Sequence, residues 1–197
     1  MVMTSELTKE EINRKLLHGL AVILPLSIFY GPELTGQPKV FVSWVFAVMF
    51  LLFLSIEWMR LNVDSFHSLF CRYFGGMMRE VENKQLTGAT YVVGGSSICS
   101  VIALPSHKSE AAVFLGLTLF ILGDAVAALV GKAFGRIRVG QKTLEGCLGC
   151  FIFCVLLAWF VFPQLPQFLE SWGGPFSIVQ ILLVSAAVSL LELFPIR

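Results

Sequence analysis

The sequence predicts an all-α fold: a polytopic transmembrane bundle of about six spans, forming one integral membrane domain over 1–197, with both termini in the cytoplasm. Three observations carry this. The 197 residues are 56% hydrophobic and only 14% charged, and the mean hydropathy of +0.81 is too high for a water-soluble domain. The apolar residues gather into six runs separated by polar or glycine- and proline-containing breaks. With the amino terminus placed inside, twelve of the fourteen Lys and Arg fall on the inner side. These are Lys9, Arg14 and Lys15, then Arg60, Arg72, Arg79 and Lys84, then Lys132, Arg136, Arg138 and Lys142, and last Arg197. Only Lys39 and Lys108 fall outside, which is the bias expected of cytoplasmic loops.

The first twenty residues begin polar and acidic, unlike the basic start of a cleaved signal peptide. Thr8 followed by Glu11 fits a capping box. From there Ile12, Leu16, Leu17 and Leu20 share one helical face, and Glu11, Arg14, Lys15 and His18 form a polar cluster that serves either as an interfacial anchor or as part of a pocket. The first span continues to about Gly31-Pro32, with a kink expected at Pro25. The second runs from about Val40 to Ile56, and Glu57, Trp58 and Arg60 place its end at the headgroups.

Residues 61 to 88 form a polar connection. Within it Phe66, Leu69, Phe70, Tyr73 and Phe74 can line one face of an amphipathic segment at the membrane surface. The third span, from Gly88 to Pro105, is rich in small residues and should pack against protein rather than lipid. Just before it, Asn83 and Thr87 are candidate contacts for a nucleotide or lipid hydroxyl, or simply a loop-to-helix cap. The fourth span covers about Ala111 to Val130, the fifth Cys147 to Phe162, and the sixth Phe176 to Phe194, with Glu192 near its end. Cys147 and Cys150, in the CLGC of the fifth span, have no second pair or histidine at ligand spacing and read as small buried side chains.

The charged window lies between the fourth and fifth spans. Residues 123–149, GDAVAALVGKAFGRIRVGQKTLEGCLG, hold Asp124, Glu145 and four bases among six glycines. An unpaired carboxylate in an apolar helix is costly, so Asp124 is expected to hold a divalent ion or accept a proton. If the flanking helices are antiparallel neighbours, Glu145 can join Asp124 as an oxygen donor to Mg2+. Lys132, Arg136, Arg138 and Lys142 serve as topology signals or as phosphate ligands. The interleaved Gly131, Gly135, Gly140 and Gly146 favour the second, since glycine lets backbone amides approach an anion. Lys142 and Thr143 also precede a helix start, where exposed amides favour phosphate. GRIRVGQKT has one residue too many for a phosphate loop and joins two membrane helices rather than a strand and a helix, so the nucleotidase reading is rejected. A net charge of +1 and the lack of a basic–aromatic motif give no sign of nucleic-acid binding.

These residues bring out a resemblance. EINRKLLH (11–18), LTGATY (86–91), GDAVAALVGKAFGR (123–136), KTLEGCLG (142–149) and ELFP (192–195) together resemble the CTP-dependent lipid kinases, which include dolichol, phytol and diacylglycerol kinases, within the wider phosphatidate cytidylyltransferase superfamily. The resemblance implies transfer of the CTP γ-phosphate to the hydroxyl of a membrane lipid. Asp124, Glu145 and Lys142 would then be catalytic, with Asp124 and Glu145 as metal ligands for Mg2+. Lys132, Arg136, Lys142 and Thr143, with Asn83 and Thr87, would bind the nucleotide. Such kinases continue past the ELFP-like segment into an Asp-Asn stretch, whereas this chain stops at Arg197. The cytidylyltransferase branch carries a Pro-Gly-His-Gly-Gly-containing signature near its carboxyl end that is missing here.

The leading expectation is therefore a lipid kinase acting at the cytoplasmic face of a bacterial inner membrane or the endoplasmic reticulum. The alternatives are a phosphatidate cytidylyltransferase making a CDP-lipid, and a non-enzymatic membrane protein. A transporter would spread polar groups through opposed spans near mid-bilayer; here they gather at one edge.

Overall fold

The computed structural model describes residues 18–78, 80–140 and 142–194. Glu11, Arg14 and Lys15 lie outside them. The chain is a helical membrane bundle, and its helices are α1 (Ile23–Thr35), α2 (Lys39–Asn62), α3 (Asp64–Phe74), α4 (Gly88–Ile102), α5 (His107–Phe134), α6 (Leu144–Leu156), α7 (Pro166–Trp172) and α8 (Ile178–Leu193). A π-helical turn over Leu157–Val161 and a 3-10 turn over Phe162–Gln164 prolong α6. The spans Lys39–Asn62, His107–Phe134 and Leu144–Gln164 are long and apolar enough to cross a membrane; Gly88–Ile102 and Ile178–Leu193 are shorter apolar helices.

The expected kink at Pro25 appears one turn earlier. Proline has no N–H to offer the carbonyl four residues back and its ring crowds that carbonyl. Ala21 instead accepts from Leu24 at 2.9 Å, and the helix breaks at 21–22 before α1 begins. At the other end, Gly31-Pro32 does not stop the helix. Pro32 lies inside α1, which ends where Gly36 adopts φ 66°, the left-handed conformation in which glycine closes a helix.

α5 is the central element and packs against α6, α8, α1 and α7, while α2 packs on α4 and α6 on α8. An aromatic core sits toward one end of this assembly: Phe29 stacks on Phe114 at 4.7 Å between centroids, and Phe162 meets Phe168 edge-on at 4.9 Å. α4 is built inside out. Its buried face is Thr90, Val93, Gly94, Ser96, Ser97 and Ser100, while Tyr91, Ile98, Val101 and Ile102 face outward. That fits a helix whose small side chains admit a neighbour's backbone and whose large ones meet lipid. Ser43 of α2 donates to the Ser100 carbonyl at 3.0 Å across this contact.

Two segments depart from the sequence expectation. Between the fifth and sixth spans, where the sequence reading places no span, the chain forms α7, with Pro166 in its first turn, where proline's missing N–H is no loss. Glu57 and Arg60, expected at the headgroups, are buried at 3% and 1% exposure. Arg60 donates to Glu57 Oε2 at 2.5 Å and to the carbonyls of Glu82 and Gln85 at 2.8 and 2.6 Å. The pair staples the 82–87 connection to α2. Trp58, between them in sequence, remains exposed.

Candidate active site

The site is assembled from three distant parts of the chain. α5 supplies Asp124 from within its length and Lys132 in its last turn. Beyond α5 the chain forms a small antiparallel ribbon, Arg138–Val139 against Lys142–Thr143, with Arg138 opposite Thr143 and Val139 opposite Lys142. Gly140, between the strands, has φ 61°, which suits glycine and few other residues. The ribbon returns Lys142 to α5, where its Nζ donates to Asp124 Oδ1 at 2.9 Å. The same Nζ donates to Glu192 Oε1 from α8. His18, just before α1, places Nε2 3.4 Å from Asp124 Oδ2, without the alignment of a hydrogen bond.

Lys142 is thus held between two carboxylates. Burial alone would push its pKa down, but the hydrogen bonds and charges of Glu192 and Asp124 outweigh burial and raise it above the usual lysine value. The ammonium is charged at any physiological pH. Asp124 is about a third exposed on its side chain, whereas the Glu192 side chain is 3% exposed and its Oε2 is buried without a hydrogen-bond partner among the described residues. Sequence reasoning did not assign Glu192 to the site. The available signal was an acid at the end of an otherwise apolar span, the same signal that singled out Asp124.

Other expected site residues are engaged differently. Glu145, at the start of α6, accepts the Ile137 N–H with both oxygens, at 3.1 and 3.3 Å, and so fixes the entry to the ribbon. Thr143 caps α6, its hydroxyl accepting from the Gly146 N–H at 3.1 Å, so one of the helix-start amides expected to meet phosphate is already bonded. Arg136 and Arg138 are exposed and Lys132 is half-buried. Thr87 directs its hydroxyl to Glu57 Oε1 at 2.7 Å, joining the staple on α2, and Asn83 is exposed at the end of a short 3-10 segment.

The glycines have a physical role other than an anion nest. A Cβ at Gly146 would stand 2.6 Å from the Ala127 carbonyl oxygen, and one at Gly149 would stand 2.8 Å from Val130. α5 and α6 therefore pack backbone to backbone along a seam that only glycine permits. The seam fixes the two ends of the charged window side by side. Deeper along it, a Cβ at Gly123 would meet Cys150 Sγ at 2.8 Å; Cys150 is a buried free thiol, as expected, and so is Cys154, whereas Cys147, expected to be buried, is only half-buried.

Mg2+ requires oxygen donors. Among the described residues, no group of three or more His, Cys, Asp or Glu forms a ready-made cage. Asp124 and Glu192 do converge on one nitrogen, and Glu192 Oε2 is an orphaned buried acceptor. Two carboxylates completed by phosphate oxygens match the donor set this ion takes with nucleotides, so the residues present fit it.

A multi-helix membrane protein with a charged centre at the junction of its helices is the class that fold and site define. Within that class, this chain belongs to the cytidylyltransferase family, whose model matches residues 1–194. It is 26% identical to CTP-dependent diacylglycerol kinase 1 of Saccharomyces cerevisiae over 78% of this chain and 51% of that protein. It is 28% identical to CTP-dependent diacylglycerol kinase 1 of Schizosaccharomyces pombe over 83% of this chain and 73% of that protein. The protein of the same name from Eremothecium gossypii is 25% identical over 76% of this chain and 45% of its own length. The chain thus spans about half the length of two of these relatives. No solved structure matches it.

Proposed function

We propose that this protein is a CTP-dependent lipid kinase that transfers the γ-phosphate to the hydroxyl of a membrane lipid, with diacylglycerol the first acceptor to test. The observation that carries the reading is the convergence of Asp124, Lys142 and Glu192 at one end of the bundle, with Arg138 on the ribbon that carries Lys142 and Arg136 just before it. The names of the three relatives support both the donor and the acceptor.

Phosphoryl transfer asks chiefly for alignment and for neutralisation of oxygen charge. Lys132, Arg136 and Lys142 would balance the triphosphate, and Asp124 would hold the metal or take the proton of the lipid hydroxyl. With Mg2+ bound, the ion would neutralise phosphate oxygens, held by Asp124 with Glu192 or, as the sequence suggested, with Glu145. In the structure described here Glu145 orders the ribbon that carries Lys142. The Lys and Arg distribution supports a cytoplasmic position for this end of the bundle, in a bacterial inner membrane or the endoplasmic reticulum membrane.

The test is incubation of purified protein with CTP labelled at the α or γ phosphate, with diacylglycerol, polyprenol, phytol and phosphatidate offered separately. A kinase moves γ label to the lipid and releases CDP. The family name favours one second reading, cytidylyl transfer to phosphatidate, which would move α label and release pyrophosphate. That outcome would replace the kinase reading.

A further inference from the structure

We propose that the Lys142 ammonium occupies the place of a divalent cation between Asp124 and Glu192, and is displaced from the two carboxylates when the metal binds. The inference rests on the kinase reading only for the identity of the metal's partner, the nucleotide. The argument begins with charge. Among the described residues, two carboxylates share one ammonium, so these three side chains carry a formal negative charge in a setting where Glu192 is 5% exposed. An uncompensated charge so placed is costly.

The deficit has an address in Glu192 Oε2, which is buried with no hydrogen-bond partner among the described residues. A cation of higher charge, met by Asp124 and Glu192 together, would satisfy both the charge and the orphaned oxygen.

Lys142 is suited to leave. It lies on a two-residue strand outside the helices, its side chain is 30% exposed, and that of Asp124 is 34% exposed. The cluster therefore opens to solvent on the side from which an ion would enter. A lysine ammonium is a mobile point charge on a flexible stem, and once released it is free to meet a phosphate oxygen. Because both acids are already held on a single nitrogen, a metal ion would inherit a pair of donors that needs no assembly. His18 stands beside Asp124, and Cys147 and Cys150 are the other described titratable groups within electrostatic reach of the two acids.

The test uses the full chain in lipid nanodiscs with neither nucleotide nor lipid substrate, and Mn2+ as a paramagnetic probe of the Mg2+ site. Free Mn2+ measured by electron paramagnetic resonance should show weak binding to the unaltered protein. Lys142→Met should bind about tenfold tighter or more, the ordinary size of coupling between competing ligands, and Lys142→Met/Glu192→Gln should lose that gain. Equal Mn2+ affinity in the unaltered protein and a folded Lys142→Met would overturn the proposal.

If Lys142→Met does not fold, the unaltered protein still decides. Saturating Mn2+ should speed acylation of Lys142 by a water-soluble amine reagent, read by mass spectrometry, and an unchanged rate would also overturn it. Neither arm requires turnover, so a failed kinase assay alongside tighter Mn2+ binding would reject the assigned reaction while leaving the exchange intact.

Discussion

Asp124 is the residue at which the proposed chemistry is most directly tested. Asp124→Asn keeps the shape but loses the charge and basicity. It should lower turnover by about 100-fold or more, the usual worth of a positioned acid–base or metal-holding group, measured per mole of folded protein with CTP and Mg2+ saturating. Near-normal turnover would reduce Asp124 to a structural partner of Lys142. Lys142 makes a different prediction. Its folded pKa is raised by Glu192 and Asp124 against the opposing effect of burial, so its stabilising contribution is fully present below the unfolded lysine value of about 10.4. That contribution is lost as pH rises through the higher folded value. The melting-temperature difference between the unaltered protein and Lys142→Met should therefore stay constant from neutral pH into the mildly alkaline range and shrink only above the ordinary lysine pKa. A difference that collapsed near neutrality would mean that the ion pair is not its source.

At the scale of elements, the seam between α5 and α6 sets the geometry of the charged window. Gly146→Ala would place a Cβ 2.6 Å from the Ala127 carbonyl and 2.9 Å from the Thr143 hydroxyl. The first is backbone and cannot rotate away. Overpacking of this kind costs about 1–3 kcal/mol, set against the roughly 1 kcal/mol that alanine gains over glycine in a helix. The expected outcome is a lower melting temperature together with lost activity, because the seam also carries the cap of α6; an unchanged melting temperature would show that the helices can part without cost. Most of these helices were legible in the sequence, because α2, α5 and α6 are long apolar runs and α4 announces its packing by its small residues. What escaped was set by contacts between distant segments. The Arg60–Glu57 staple looked like a helix end at the headgroups, since nothing local shows that the Glu82 and Gln85 carbonyls return to meet it. The glycines of the window were read as an anion nest because sequence spacing cannot tell a ligand's approach from a neighbouring helix's. Glu192 stands 68 positions from Asp124 in the numbering of the chain and meets it across the shared Lys142 ammonium.

Across the whole molecule, the Lys and Arg asymmetry predicts that the ribbon faces the cytoplasm. A single cysteine at position 138, in a background lacking the native thiols, should react with an impermeant maleimide only from the cytoplasmic side, and labelling only from outside would invert the topology. The far end of the bundle offers a second measure. Lys39, at the start of α2, pairs with Glu110, in the first turn of α5, at 2.6 Å, and a lysine where spans begin marks a membrane boundary. Asp124 follows Glu110 by fourteen positions, or about 21 Å along the helix at 1.5 Å per residue, in a hydrocarbon layer about 30 Å thick. The ion pair thus acts as a depth gauge, holding the Asp124 carboxylate short of the opposite surface by a margin that the bilayer itself decides. In vesicles of shorter-chain lipids the aqueous boundary comes down to meet Asp124, and in longer-chain lipids it recedes. Turnover should therefore fall as acyl chains lengthen at fixed headgroup and fixed substrate fraction, which would make the thickness of the surrounding membrane a determinant of how readily a water-borne phosphate meets a lipid-borne hydroxyl.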